Sequence, residues 1–314
     1  MIKFYVEDIS RETIQNTIYD ICIFSTGFES RSCYIPSLLT ATNAIQSIVL
    51  CYTENTDNEQ RELNDAYFKN NYKKALWIEL SQFSTSNFSK VIHEIERVEK
   101  DCISILIDYS SMSRTWYSLL TTYILKISKK KFIIDFTYSA GEYESNFFEY
   151  EMNGIKTIPG CEGVSLTKKK HAAIFSLGFD RRGPVSVYDK LDPNICFGII
   201  ASPAIRDDYV KTAMDINEDF IKLNLDNGNN LLKLPLSSVA TTFSNMCQII
   251  SPLNSTHNIS IIPFGPKPHV LASILCSIKY DNIACIYSQY KNRPTSSVVC
   301  TGDVIITRLY KNLL

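Results

Sequence analysis

Length, composition and charge narrow the class of protein that this sequence can encode. The chain has 314 residues, 45% hydrophobic and 21% charged, so it holds enough apolar side chains for two folded cores. Its 32 Lys and Arg residues nearly balance 33 Asp and Glu residues, which does not favour binding to extended nucleic acid. Because no apolar run reaches bilayer-spanning length and no signal peptide is evident, we expect a cytoplasmic protein without a membrane partner.

Continuous apolar runs of strand length alternate with helical segments along the first half of the chain. The predicted strands are 21–25, 47–52, 75–80, 103–108 and 132–138, and the predicted helices are 31–40, 58–70, 87–100 and 114–126. Continuous runs, unlike alternating ones, are typical of strands buried on both faces of a parallel sheet. The β-α-β-α order therefore predicts an α/β fold with a doubly wound, Rossmann-like sheet.

The second half repeats this series. Its predicted strands are 172–176, 196–201, 231–234, 258–262 and 283–288, and its predicted helices are 185–191, 208–220, 239–250 and 270–279. Each half is expected to end in a β-hairpin. The first would join 147–151 to 155–158 through Asn153-Gly154, and the second would join 297–300 to 304–309 through Thr301-Gly302-Asp303.

Two pairs of short motifs recur between the halves. Residues 23–31 end in Gly-Phe-Glu-Ser-Arg and residues 174–182 end in Gly-Phe-Asp-Arg-Arg, while 105–114 correspond to 259–268. Gly27 precedes Ser111 by 84 positions, and Gly178 precedes Gly265 by 87. This nearly constant offset predicts an internal duplication into two tandem domains, 1–158 and 159–314, packed as an intrachain pseudo-dimer.

The repeated motifs follow strands one and four, which are the strands beside which a doubly wound sheet usually binds its ligand. The candidate ligand-binding residues after strand one are Gly27, Glu29 and Arg31 in the first half and Gly178, Asp180 and Arg182 in the second. Each glycine would let the backbone turn, and each arginine would grip an anion at the next helix start. In the structural alternative, which stays open, the acid caps the helix and the arginine pairs with a neighbouring acid.

Hydroxyl and charged side chains follow strand four. The candidates are Asp108, Ser110, Ser111, Ser113 and Arg114 in the first half, and Gly265, Lys267 and His269 in the second. Small donors beside a helix N-terminus suit a phosphate or a ribose, although a serine-rich helix cap would explain part of the same pattern. After strand five, Glu142 lies among tyrosines, which either stack on a base or pack in the core. Glu29, Asp108 and Glu142 are the candidate general acids or bases.

Metal and cofactor chemistry has no support in the sequence. The 10 cysteines include no Cys-x-x-Cys pair, and the 4 histidines lie far apart. Free buried thiols explain the cysteines better than a metal or disulfide framework does. Glycine-rich dinucleotide fingerprints and Walker loops are also missing, so we expect neither a metal nor a cofactor.

A Rossmann-like unit whose fourth strand leads into Gly265-Pro266-Lys267 at a helix start resembles the nucleotide-sensing CARF domains. Two such units in one chain resemble the SAVED domains of bacterial antiviral systems. This resemblance implies binding of cyclic or linear oligonucleotide messengers, which some members of these families also cleave. The serines at 110, 111 and 113 depart from the Gly-Thr-Lys type of turn.

The leading expectation is a protein that binds an anionic, nucleotide-type ligand, as a sensor in a prokaryotic defence system with a protein effector partner. A second hypothesis is a hydrolase or transferase acting on a nucleotide or nucleic acid, with the three acids above as candidate bases and the arginines stabilising phosphate charge. A third is a non-catalytic interaction subunit in which the motifs only brace the fold.

Overall fold

The β-strands of the computed structural model form two mixed sheets in an α/β fold. The structure describes residues 3–54, 56–82, 84–143, 152–164, 168–290 and 298–312. The strands are β1 (Phe4–Asp8), β2 (Tyr19–Thr26), β3 (Ala44–Tyr52), β4 (Leu76–Leu80), β5 (Cys102–Asp108), β6 (Lys131–Tyr143), β7 (Met152–Thr157), β8 (Lys170–Leu177), β9 (Ile195–Ala201), β10 (Leu231–Leu234), β11 (His257–Pro263), β12 (Ile283–Tyr290) and β13 (Val298–Lys311).

Helices connect most of these strands. The α-helices are α1 (Arg11–Gln15), α2 (Tyr34–Leu38), α3 (Glu59–Asn71), α4 (Phe88–Glu96), α5 (Arg114–Thr122), α6 (Arg182–Leu191), α7 (Asp207–Ile216), α8 (Glu218–Asn224), α9 (Val239–Leu253) and α10 (Lys267–Lys279). Short 3₁₀-helices span Ser30–Cys33, Ala41–Asn43 and Asp226–Gly228, and a π-helical turn, Tyr123–Ile127, extends α5. No helix among the described residues is long and apolar enough to cross a membrane.

The two sheets share one strand order in their parallel cores. The seven-stranded sheet runs β1-β13-β6-β5-β2-β3-β4, and the six-stranded sheet runs β10-β9-β8-β11-β12-β7. In the first, β2 to β6 pair in parallel, and in the second, β8 to β12 do so. Numbered along each half, both cores have the order three-two-one-four-five of doubly wound Rossmann-like folds. The predicted α/β architecture is therefore confirmed, while the duplication stays a prediction.

The central strands are buried because the sequence supplies apolar side chains at consecutive positions. Every residue of β2 is buried, including Phe24, which packs with Phe68 of α3 in the core of the first sheet. In the second sheet, Phe175 of β8 packs edge-on against Phe220 of α8, with ring centroids 5.0 Å apart. Each sheet thus has its own apolar core.

The chain divides into two units that do not follow the halves of the sequence. The first unit contains residues 2–144 and 295–314, and the second contains residues 145–294. β7 follows the first parallel core but pairs antiparallel with β12 of the second unit. In return, β13 follows the second core but pairs antiparallel with β6 of the first unit. The units therefore exchange strands reciprocally.

Both hairpins expected from the sequence are replaced by this exchange. β7 continues through Asn153-Gly154, where its pairing with β12 shifts register, so the predicted turn lies inside a strand, and residues 147–151 lie outside the described residues. β13 likewise continues through Thr301-Gly302-Asp303, where the pairing with β6 shifts register between Cys300 and Val304. Turn-forming residues here make a β-bulge, with Gly302 at φ 90°, and the chain does not reverse.

Candidate functional site

The loops after β2 and β5 lie side by side at the carboxyl end of the first sheet. We call residues 27–31 and 109–114 together the first switch point, because strand order reverses between these strands. The hydroxyl oxygens of Ser25 and Ser111 are 2.9 Å apart, and the Tyr52 hydroxyl donates to the Ser111 carbonyl oxygen at 2.8 Å. The loop after β5 thus contacts the end of β2, directly before the loop that contains Gly27.

Arg31 is buried inside the first switch point and does not face solvent. Its Nε donates to the Glu29 carboxylate at 2.8 Å, and its Nη1 donates to the Tyr138 hydroxyl at 2.9 Å and the Ser139 carbonyl oxygen at 3.2 Å. Its guanidinium carbon is 5.2 Å from the centre of the Tyr138 ring. Glu29 makes no capping hydrogen bond to the following 3₁₀-helix. Arg31 therefore pairs with an acid, as in the structural alternative, but Glu29 does not supply the cap that this alternative also predicts.

Asp108 and Ser110 are also buried, and they bond to each other. The Asp108 carboxylate accepts from the backbone N–H of Ser110 at 3.0 Å and from the Ser110 hydroxyl, whose oxygen accepts from the Ser139 N–H at 2.7 Å. Ser113 caps α5 by accepting from the N–H of Trp116 at 3.3 Å. Arg114, half-buried, is the first residue of that helix. These side chains shape the loop between β5 and α5.

Tyr52 and Trp116 flank the first switch point and were not expected from the sequence. Their rings stack with centroids 4.1 Å apart, and the Trp116 indole donates to the Ser81 carbonyl oxygen at 3.3 Å. Burial of its hydroxyl, followed by the charge of nearby Glu29, raises the pKa of Tyr52 well above its ordinary value. Both aromatics occur in apolar sequence runs that only suggested core packing.

Two buried asparagines hold the turning glycines in equivalent ways. Asn64 of α3 donates its side-chain amide to the carbonyl oxygens of Gly27 at 2.7 Å and Glu29 at 2.9 Å. Asn217, between α7 and α8, donates to the carbonyl oxygen of Gly178 at 2.8 Å. The separations in sequence are 37 and 39 residues, a matched spacing that could have identified this third recurring element.

In the second unit, the equivalent loops are in contact. We call residues 178–182 and 264–267 the second switch point. A Cβ on Gly178 would lie 2.5 Å from the carbonyl oxygen of Phe264, and one on Gly265 would lie 2.2 Å from the Ser176 hydroxyl. Such distances are below any normal contact, and because the obstacle at Gly178 is backbone, this position needs glycine for the loops after β8 and β11 to pack.

Charged side chains begin the two helices at the second switch point. Asp180 accepts from the Gly183 N–H at 2.8 Å at the start of α6, and its other oxygen accepts from the Tyr290 hydroxyl. Arg182, the first residue of α6, is exposed, in contrast to buried Arg31. Lys267, the first residue of α10, is half-buried. Two cationic residues therefore follow adjacent strands at helix N-termini.

His269 is part of the core. Because a carbonyl oxygen can only accept, Nε2 carries the proton that bonds Pro235 O at 3.4 Å, and Nδ1 accepts from the Ser176 hydroxyl at 3.4 Å. Burial lowers the pKa of His269 to about 4, so the ring is neutral at physiological pH.

Glu142, the third candidate acid or base, is exposed on β6, where it lies opposite Val299 of β13.

Comparisons with known proteins add no family to this geometry. No protein-family model matches the sequence, and no curated protein is significantly similar to it. Among the described residues, no group of three or more His, Cys, Asp or Glu side chains is arranged to hold a metal ion. The resemblance to CARF and SAVED domains therefore stays a prediction.

Proposed function

We propose that this protein binds an anionic, nucleotide-type ligand at the carboxyl ends of its parallel strands, as a sensor component of a prokaryotic antiviral defence system. One observation carries the proposal: in both units, the loops after strands one and four meet where strand order reverses. Open doubly wound sheets bind ligands at this position because helix N-termini and turning backbone converge there.

The second switch point is the better candidate for the anion. Arg182 is exposed and Lys267 is half-buried, and each is the first residue of a helix, at the end where the helix dipole favours negative charge. In the first switch point, Arg31 is already bonded to Glu29 and Tyr138, so Arg114 at the start of α5 is the cation nearest to solvent there.

A bracing role is the second candidate for the buried residues of the first switch point. Arg31 and Asp108 are almost fully buried and bond to neighbouring loops, as expected for residues that fix loop conformation. In this reading the motif is structural in the first unit, and an anion binds only in the second.

Thermal unfolding in the presence of ATP and of linear and cyclic oligoadenylates tests the proposal. A ligand that binds the folded protein at 100 times its Kd stabilises it by about 3 kcal/mol, which is readily seen as a rise in Tm. We expect Lys267→Ala and Arg182→Ala to remove that rise, measured for each variant against its own unliganded Tm.

Lys222→Ala is the matched control, because Lys222 is an exposed lysine of α8 in the same unit, paired with Glu218 at 2.6 Å. It should keep the full ligand-induced shift. Unchanged shifts in Lys267→Ala and Arg182→Ala, for a ligand that stabilises the parent protein, would contradict the proposed site. Loss of the shift in Arg31→Ala alone would move the ligand to the first switch point.

A further inference from the structure

A cluster of polarisable and charged side chains lies between α9 and α10, outside both switch points. Cys247 is on α9, and Cys276 and Lys279 are on α10, with Tyr280 directly after it. The Lys279 ammonium is 3.7 Å from the Cys247 sulfur. Cys276 and Lys279 are three residues apart on α10 and therefore lie on the same face of that helix.

This surrounding favours the thiolate form of Cys247. The Cys276 thiol, the Lys279 ammonium and the Tyr280 hydroxyl are the titratable groups that face the sulfur, and each can donate to it. Lys279 is held in position over the rings of Phe243, at 5.3 Å, and Tyr280, at 5.6 Å. The hydrogen bond from Cys276 and the lysine charge outweigh partial burial and lower the pKa of Cys247 to about 7.

Other cysteines of the chain have the opposite environment. Burial raises the pKa of Cys33, Cys51 and Cys196 to about 12, so these thiols stay protonated and inert at neutral pH. Cys161 and Cys285 form another adjacent sulfur pair, but both are fully buried, and burial raises the pKa of Cys285. Cys247 differs in combining partial exposure with a neighbouring cation and a second thiol.

We propose that Cys247 is a nucleophilic, oxidisable thiolate, that Cys276 is its resolving thiol, and that hydrogen peroxide joins the two in a disulfide bond across the α9–α10 interface. The Cys247 thiolate attacks one peroxide oxygen and breaks the O–O bond, which leaves a sulfenic acid and a hydroxide that takes a proton to become water. The Cys276 sulfur then attacks the sulfenic sulfur, and its proton leaves with the sulfenic hydroxyl as a second water. Two thiols are oxidised and one peroxide is reduced.

Alkylation of the whole protein with limiting iodoacetamide across a pH series, read by peptide mass spectrometry, tests the nucleophile. We expect Cys247 to be alkylated first, with a midpoint near neutral pH. Lys279→Met should raise that midpoint and slow the reaction at neutral pH by about fivefold, since less of the sulfur is then ionised. Lys222→Met, which removes an exposed lysine of the same unit, should change neither value.

Peroxide treatment tests the resolving thiol. Non-reducing peptide maps should show a Cys247–Cys276 crosslink in the parent protein, and Cys276→Ser should stop at a Cys247 sulfenic acid that dimedone traps. Cys161 and Cys285 should stay reduced under the same dose. Alkylation spread over several cysteines in the parent protein, or peroxide treatment without the crosslink, would overturn the proposal even if a variant failed to fold.

Discussion

A shared sequence motif places the same side chain in different environments in the two units. In the first unit, the Gly-Phe-acid-x-Arg motif ends with Arg31 in a 3₁₀-helix. The Tyr138 hydroxyl and the Ser139 carbonyl oxygen accept hydrogen bonds from its guanidinium. The equivalent Arg182 begins α6 and is exposed, while Asp180 caps that helix start. The acid pairs with the arginine in the first unit and with backbone in the second, so the two parts of the structural alternative are divided between the units.

His269 should make stability depend on pH. Its folded-state pKa is about 4 against an ordinary value of 6.5, so between these values the unfolded chain binds more protons than the folded protein. The free energy of unfolding should therefore fall as pH drops from about 6.5 to about 4, by about 3 kcal/mol in total.

Urea unfolding at a series of pH values measures this loss. His269→Gln should make the free energy of unfolding less dependent on pH over that range. The control, His257→Gln, changes the first residue of β11 and should keep the pH dependence of the parent protein. A His269→Gln protein that loses stability on acidification as steeply as the parent would show that this ring is not the cause.

Side-chain burial at the candidate site could not be predicted from the sequence. The sequence showed that Asp108, Ser110 and Arg31 follow neighbouring strands, and the structure does bring their loops together. Whether they face solvent depends on Tyr138, Ser139 and Asn64, which come from distant positions and cover them. The sequence near Arg31, Asp108 and Ser110 does not show which distant residues will bury them. The sequence therefore predicted ligand contacts for side chains that form internal hydrogen bonds in the structure.

A buried ion pair joins strand β13 to strand β6 of the first sheet. Arg308 of β13 donates from Nε and Nη2 to the two carboxylate oxygens of Asp135 on β6, at 2.7 and 2.8 Å. The Tyr19 hydroxyl of β2 donates to the same carboxylate at 2.5 Å. Lys311 at the end of β13 donates to the carbonyl oxygen of Ile124 at 2.6 Å and to that of Ser128, which satisfies the π-helical turn after α5.

Removing the arginine from this ion pair should lower the free energy of unfolding. Asp135 is fully buried, so Arg308→Leu would leave a buried carboxylate with Tyr19 as its remaining strong donor, and we expect a loss of about 3 kcal/mol. Arg97→Leu is the matched control, because Arg97 pairs with Glu94 at 3.4 Å on the surface of the first unit. It should cost less than about 1 kcal/mol. Chemical denaturation measures the free energy of unfolding of both variants. Equal losses in the two variants would contradict a stabilising role for the buried Arg308–Asp135 ion pair.

The parallel strands were predictable, and the antiparallel edge strands were not. Strands such as β2 and β5 are continuous apolar runs. Such runs can be recognised in the sequence without knowing which strands they pair with. Asn153-Gly154 is a strong local signal for a hairpin, yet β7 pairs with β12, more than a hundred residues away. Which sheet edge receives a strand depends on the geometry of the assembled sheets, and that information is not local in the chain.

For the whole molecule, strand exchange links the stability of each unit to the other half of the sequence. Leu309 of β13 is fully buried in the first unit, and Ile158, directly after β7, is fully buried and bonds to Cys285 O at 2.8 Å in the second. Leu309→Asp should therefore destabilise the first unit, and Ile158→Asp should destabilise the second, each by several kcal/mol, on the order of the cost of burying a charge.

Hydrogen exchange followed by mass spectrometry resolves the two units. In Leu309→Asp, peptides from β2 and β5 should lose protection, and in Ile158→Asp, peptides from β8 and β11 should lose it. The pattern expected from unexchanged halves is the reverse, with Leu309→Asp affecting β8 and Ile158→Asp affecting β2. Observing that reverse pattern would refute the exchange.

The reciprocal strands also order events during translation. β1 and β6 leave the ribosome early, but the strand that lies between them in the sheet, β13, is made only after the second unit is complete. Until then the nascent first sheet keeps an unpaired edge at β6, which is a template for pairing with other chains. We therefore expect newly made molecules to expose the β6 edge for as long as synthesis of the second unit takes.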